Sequence, residues 1–292
     1  MAGFGEAEAH GAATIVNAIA TGRGAAFGVA LKTTARVTLT NEAGIVRGRI
    51  IGDEGESTKL IERAVLLVLE RFGGDNRYGA SVETESSIPI ARGLKSSSTA
   101  ANATVLATAA ALGELLDDLT AVNLSVEAAI EAGVTITGAF DDACASFLGG
   151  VIVTDNLRRQ ILKRYEFDDE YIILFLIPPK KAYTSDVNLK RVRLIAPQVE
   201  LALREALLGN YWHALTLNGL LHAAALGYDP GPAIDALEAG ALASGLSGKG
   251  PATVAVVLEE NANAVAEAWR PYAGQVVQTM VNRRKASVVR ME

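Results

Sequence analysis

Pro89-Ile90-Ala91-Arg92-Gly93-Leu94-Lys95-Ser96-Ser97-Ser98-Thr99-Ala100-Ala101-Asn102-Ala103 runs from a proline and a glycine through four hydroxyls into an alanine-rich stretch that continues to Leu116. Alanine and leucine favour helix, so Ala100 to Leu116 is expected to be helical. Before it, Ala80 to Ile88 alternates apolar and polar residues as a half-buried strand does. The order is strand, glycine loop, helix. A loop of small residues feeding a helix makes an anion site. The first backbone N–H groups have no intrahelical partners, and the helix dipole favours negative charge there. Lys95 and the hydroxyls of Ser96, Ser97, Ser98 and Thr99 stand where a phosphate or its Mg²⁺ would lie. Ser and Thr also cap helices, but four in succession after Gly-Leu-Lys exceed what a cap needs.

Outward from this stretch the periodicities alternate between strand and helix. Ala30 to Leu39 and, more weakly, Arg47 to Asp53 read as strands. Leu60, Ile61, Ala64, Val65, Leu67 and Val68 form a helical stripe within Ser57 to Arg71. Thr120 to Ala132 reads as a second helix, and Gly149-Gly150 as a turn before a strand. The charged stretch Asn156 to Asp169 marks a boundary, so domains are expected at 1–156 and 157–292. Beyond it, Tyr171 to Ile177 is an apolar strand closed by Pro178-Pro179. Helices are expected at Leu189 to Leu208, Trp212 to Ala225, Gly231 to Ala241 and Ala262 to Trp269. Strands are expected at Ala252 to Leu258, Gly274 to Val281 and Ala286 to Val289. The fold class is α+β.

Composition narrows the function. Hydrophobic residues make up 50% of 292 residues and aromatics only 5%, so the core is aliphatic and alanine-rich. A net charge of −6 argues against a nucleic-acid partner. Arg283-Arg284-Lys285 is too short a cluster to change that. Cys144, the single cysteine, allows no internal disulfide and suits a reducing cytoplasm; between two alanines it reads as a buried small residue. Residues 1–10 lack a basic start followed by an apolar core, and no apolar run reaches the ~18 residues of a membrane span.

Two further constellations bear on chemistry. Ser244 to Pro251 is a second glycine cluster, immediately before a strand. It is not a G-x-x-x-x-G-K-[ST] loop, because Ala243 stands five before Gly248 and Gly250 follows Lys249. The adjacent carboxylates Asp141 and Asp142 either cap a helix or receive the proton of a phosphate acceptor, a task that needs a carboxylate held against a hydroxyl.

The Pro89–Ala100 segment resembles the central motif of the GHMP kinases, P-x-x-x-G-L-x-S-S-x-A, through Pro89, Gly93, Leu94, Ser96 or Ser97, Ser98 and Ala100. Ser247, Gly248, Gly250 and Pro251 resemble the family's third motif, S-G-x-G-P. The chain as a whole, from Thr14-Ile15-Val16-Asn17 onward, looks like the archaeal-type shikimate kinase branch. The resemblance implies a two-domain fold, a ribosomal S5 domain 2-like N-terminal domain with a left-handed β-α-β crossover and a ferredoxin-like C-terminal domain. It implies transfer of the ATP γ-phosphoryl to shikimate by a cytoplasmic monomer or homodimer, with no membrane partner.

The loop Pro89 to Thr99 with Gly248 and Gly250 is then the nucleotide site, with Ser98 and Glu131 as Mg²⁺ ligands. Glu131 reads equally as a solvated helix residue, and Lys95 as a surface lysine. In relatives with a catalytic Asp, that residue lies seven before a Gly-Gly pair and eleven after the metal-binding Glu. Asp142 fits both counts, through Gly149 and Glu131; a D-x-A pattern instead favours Asp141. For shikimate, a ring carboxylate with three hydroxyls, Asn17, Thr21 and Lys32 are expected in the pocket, with Arg191 or Lys180 as alternative cations. Ordinary turn chemistry accounts for each equally well. His10, before Gly11, lies in the family's first motif; His213 and His222 lack metal-ligand spacing. Rival readings are another GHMP small-molecule kinase, such as a homoserine or mevalonate kinase, and a non-catalytic ligand sensor on the same fold.

Overall fold

The computed structural model describes residues 3–74, 77–90, 92–179 and 188–292. Its first strand, β1 (Phe4–Val16), is rich in Gly and Ala, which have little strand preference of their own. Burial on both faces holds it. Ala7 and Ala9 face one core; a bulge between His10 and Gly11 then shifts the pairing, so that Ala12 takes over that face while Ala13 and Ile15 turn to the other. β2 (Arg23–Thr40) runs antiparallel beside β1. β3 (Val46–Ile51), α1 (Lys59–Phe72) and β4 (Gly79–Ser86) follow, with β3 parallel to β4 and α1 as the crossover. α1 buries the expected stripe, including Leu60, Ile61, Ala64, Val65 and Val68.

α2 (Ser96–Ala111) is buried all round, which its small side chains allow: it touches β1, β2, α1, α3 (Asp118–Glu131) and α4 (Phe140–Leu148). It stops five residues short of the expected Leu116, and Leu115 is exposed. β5 (Val151–Asp155) pairs with β2 and forms a hairpin with β6 (Gln160–Tyr165). The chain later returns β11 (Ser287–Met291) to the outer edge of β1, giving a sheet in the order β11-β1-β2-β4-β3 with β5 and β6 attached through β2. The division expected between 156 and 157 therefore falls inside the β5–β6 hairpin. A division that follows hydrogen bonding runs after Tyr165 and returns β11 to the first unit.

The second sheet comprises β7 (Ile172–Ile177), β8 (Ala243–Leu246), β9 (Thr253–Val257) and β10 (Gln275–Met280), antiparallel in the order β10-β7-β9-β8. In sequence order that is 4-1-3-2, the ferredoxin-like arrangement. α5 (Leu189–Leu194), α6 (Ala196–Leu207), α7 (Tyr211–Leu226) and α8 (Gly231–Glu238) connect β7 to β8, and α9 (Ala262–Ala268) connects β9 to β10. The expected helix Leu189 to Leu208 is broken at Ile195, one residue before α6 opens and two before Pro197.

Three cores result, the second with Phe27, Phe167, Tyr171, Tyr211 and Trp212 in ring contact. One lies between the first sheet and α1–α4, one between the two halves, and one beneath α8 and α9. Arg23 and Glu200 join the halves through two 2.7 Å contacts. Cys144 is buried in α4, and burial pushes its thiol well above the usual range. Among the described residues no helix is long and apolar enough to cross a membrane.

Candidate active site

The loop after β4 delivers the chain to α2 through Lys95, which stands at the N-cap position with φ 64°. This left-handed conformation is unfavourable for a residue with a Cβ. It accompanies a specific contact: the Lys95 ammonium lies 3.0 Å from Asp142 Oδ2, with only about a tenth of either side chain exposed. The surface-lysine reading is thereby corrected.

The hydroxyls that follow divide. Ser96, Ser97 and Ser98 line a pocket. Thr99 turns into the protein, its Oγ1 3.0 Å from the Lys95 carbonyl and 3.2 Å from that of His10. Leu94 is core, and Arg92 donates to the Pro178 carbonyl at 2.6 Å. Of the expected nucleotide loop, Ile90, Gly93, Lys95 and Ser96 to Ser98 line the pocket, whereas Pro89, Arg92, Leu94 and Thr99 do not. Ala91 lies outside the described residues.

The second glycine cluster interlocks with the first. Ser247 Oγ donates to the Gly93 carbonyl at 2.8 Å, and Ala252 N–H to that of Arg92 at 3.2 Å. A Cβ on Gly93, already at φ 91°, would sit 2.5 Å from the Ser247 carbonyl oxygen. One on Gly248 would sit 2.7 Å from the Lys95 ammonium. Gly93 needs glycine for space as well as for conformation, whereas at Gly248, with φ 61°, the conformation is what favours glycine. Gly250 N–H closes a turn onto the Ser247 carbonyl at 2.9 Å. Thr14 Oγ1 accepts from Gly248 N–H at 3.0 Å, and Asn17 Nδ2 donates to the Gly248 carbonyl at 2.8 Å. Asn218, on α7, accepts from the Asn17 backbone N–H at 3.0 Å. The end of β1 thus fixes the turn.

Asp141 and Asp142 occupy the first turn of α4, with Ala139 at the N-cap position, so neither is the cap. Both are buried and both line the pocket. Asp142 meets Lys95 through Oδ2, and its Oδ1 has no partner. Asp141 Oδ1 accepts from Asn156 Nδ2 at 2.8 Å, while Oδ2 presses on Gly24, where a Cβ would lie 2.3 Å away. Burial, and then the charge of Asp142, push the Asp141 carboxyl up to about 7.

The pocket has a volume of about 440 Å³. Thr14, Asn17, Ala18 and Ile19 line it at the β1 end; Ile50, Leu60, Ile61 and Ile90 give an apolar part toward β3 and α1. Asn17 is there as expected. Thr21 instead closes its own turn against Arg23. Lys32 pairs with Glu8 at 2.6 Å, and Glu131 pairs with Arg63 at the surface; neither lines the pocket. Arg191 is exposed and bonded to the Ala224 carbonyl, and Lys180 lies outside the described residues. His10 contributes its carbonyl rather than its ring, and burial lowers the pKa of that ring. His213 is exposed; His222 is buried, and burial lowers it to about 4. Sequence reasoning missed Glu56, Ser57, residues 133–137 and Lys249 in the lining. For Lys249 a signal existed: it is the residue between the two glycines of the S-G-x-G-P motif.

Family comparisons agree with this geometry. The GHMP kinases N terminal domain family matches residues 59–150, and the GHMP kinases C terminal family matches residues 213–274. The shikimate kinase of Methanosarcina acetivorans is 51% identical over 97% of this chain and 95% of its own. That of Pyrococcus abyssi is 45% identical over 94% of this chain and 98% of its own. Among solved structures, homoserine kinase from Cytophaga hutchinsonii superposes with a TM-score of 0.77 at 20% identity, covering 98% of this chain and 97% of its own; at that identity the likeness concerns the fold. The chain belongs to the GHMP kinases, in the branch formed by the archaeal shikimate kinases.

Proposed function

We propose that this protein transfers the γ-phosphoryl group of ATP to a hydroxyl of shikimate, giving 3-phosphoshikimate. The observation that carries the chemistry is the Lys95–Asp142 pair at the N-terminus of α2, inside a pocket of about 440 Å³. Full-length likeness to proteins named shikimate kinase supports the choice of acceptor. The cytoplasmic setting is supported by the single buried cysteine.

The phosphates of ATP lie against the N-terminus of α2, where backbone N–H groups and the hydroxyls of Ser96 to Ser98 face the pocket. The base takes the apolar part lined by Ile50, Leu60, Ile61 and Ile90. The acceptor lies against Asp142 and Asn17. Asp142 receives the proton of the attacking hydroxyl as its oxygen bonds to the γ-phosphorus and the bond to the ADP oxygen breaks. Lys95, bound to the same carboxylate, orients it and offers positive charge to the transferring group.

Magnesium suits the donor set present. Among the described residues no cluster of three His, Cys, Asp or Glu could cage an ion, and Mg²⁺ needs none when phosphates and waters supply most oxygens. Ser98 and Asp142, whose Oδ1 has no partner, both line that space. When bound, the ion neutralises phosphate charge. Glu131, committed to Arg63, is not in position to hold it. An ADP-release assay with shikimate, homoserine and mevalonate, and mass spectrometry of the products, tests the reading. Phosphohomoserine or phosphomevalonate formed at a higher kcat/KM than phosphoshikimate would reassign the acceptor.

A further inference from the structure

Asn102 stands in α2 among residues that are buried without a break from Ala101 to Ala111. Nothing about the position favours asparagine for stability. Alanine, which flanks it on both sides, is the better helix former. The Asn102 side chain is fully buried, and its Oδ1 has no partner among the described residues. A buried acceptor left without a donor is destabilising. The bonds the amide does make come from its other end and go to α4. Nδ2 lies 3.0 Å from the Ala143 carbonyl and 3.2 Å from Ser146 Oγ. The carbonyl can only accept, so it fixes which end of the amide faces it.

These bonds belong to a closed circuit. Ser146, also fully buried, donates from Oγ to Thr99 Oγ1 at 3.4 Å. Thr99 in turn donates toward the carbonyls of Lys95 and His10, at 3.0 and 3.2 Å. The Lys95 ammonium meets Asp142 Oδ2 at 3.0 Å, and Asp142 directly precedes Ala143, the residue that Asn102 holds. One side of the circuit is the helix that carries Ser96 to Ser98; the other is the start of α4. Apolar contacts between small side chains leave the register of two helices loosely defined. Buried hydrogen bonds with fixed directions admit one register.

We infer that Asn102 is a positioning residue for phosphoryl transfer: its amide clamps the turn of α4 behind Asp142 to α2, and so sets where that carboxylate stands relative to the glycine loop. This rests on the reading of Asp142 given above. In-line transfer is sensitive to placement, and a shift of about 1 Å costs about a hundredfold in rate. Asn102 does not line the pocket. Its loss should therefore appear in kcat and leave KM for ATP and for shikimate within about twofold.

Turnover of the wild type and of Asp142→Asn is measured first. Absence of wild-type turnover, or an Asp142→Asn protein with unchanged kcat, would overturn this inference together with the reading beneath it. Given a crippled Asp142→Asn, the variant Asn102→Leu, which keeps the shape and removes the bonds, should lower kcat about tenfold to a hundredfold. Ser146→Ala breaks one of the bonds and should lower kcat about twofold to tenfold, and it decides the matter should Asn102→Leu not fold. Val105→Ala, at a buried apolar position further along α2, is the control for lost stability: Tm should fall with kcat within about twofold. Added to Asp142→Asn, either Asn102→Leu or Ser146→Ala should lower kcat by less than about threefold more, since each acts through a carboxylate already removed. An unchanged kcat in the single variants, losses that multiply in full with that of Asp142→Asn, or an equal fall in Val105→Ala would overturn the inference and leave Asp142 in its role.

Discussion

The two sides of the first turn of α4 face different surroundings. Asp142 looks toward the glycine loops and meets a lysine; Asp141, one residue earlier, looks toward β2 and β5 and meets the amide of Asn156. Successive helical residues project about 100° apart, so neighbours in sequence reach different partners. Asp142 has a cation, a buried oxygen without a partner and a place beside the glycine loop. Asp141 has an amide, a wall of backbone at Gly24 and a carboxyl pushed up by burial. In the reaction proposed above Asp142 is the reacting carboxylate and Asp141 the structural one, and what separates them is the company each keeps.

The hardest test of that contrast is to exchange each carboxylate for its amide. Asp142→Asn should lower kcat by about 10²–10⁴, the usual cost of removing a general base, with little change in Tm. Asp141→Asn should keep kcat within about tenfold. If Asp141→Asn is instead the inactive protein, the roles are reversed. Next in size is Lys95→Met. It leaves Asp142 buried without its cation, so kcat/KM should fall about tenfold to a hundredfold, with a stability loss of about 1–3 kcal/mol in denaturant melts. A loss of stability with unchanged kinetics would make the pair purely structural.

The smallest effect concerns Asp141 and pH. Its carboxyl sits at about 7 in the folded protein against an ordinary value of 3.8. Between those values the folded protein holds a proton that the unfolded chain has released. The stabilisation from this group is therefore complete below the lower value and lost as pH rises through the upper one. Asp141→Asn lacks that loss. Its Tm should gain on the wild type by a few degrees as pH rises from about 4 to about 8. A difference that stays constant across that range would show that Asp141 does not hold the proton.

Much of this was legible in the sequence, and the gaps have physical causes. The strand, glycine loop and helix around Pro89 to Ala103 were readable because the signals are local. β1 was not assigned, since Gly, Ala and Thr carry little strand preference and only its fit between two cores makes it extended. α4 was missed because it has nine residues and no ordinary cap. β6 was hidden in a charged, half-exposed hairpin. Within the site, spacing pointed to Asp142 and side-chain polarity to Asn17, and both line the pocket. Lys32, chosen as a cation, and Glu131, chosen by spacing, lie outside the lining, since sequence carries no information about which opposite charge reaches a side chain first, and Glu8 and Arg63 did.

The pairing of β11 with β1 has a consequence for synthesis. A ribosome releases β1 before β2 to β10, and β11 after them. Throughout translation the outer edge of β1 lacks its neighbour, and the seven-stranded sheet can be finished only after the smaller four-stranded one is available. An open strand edge is a template for pairing with other chains. The nascent protein therefore carries an aggregation-prone edge along β1 until β11 pairs with it.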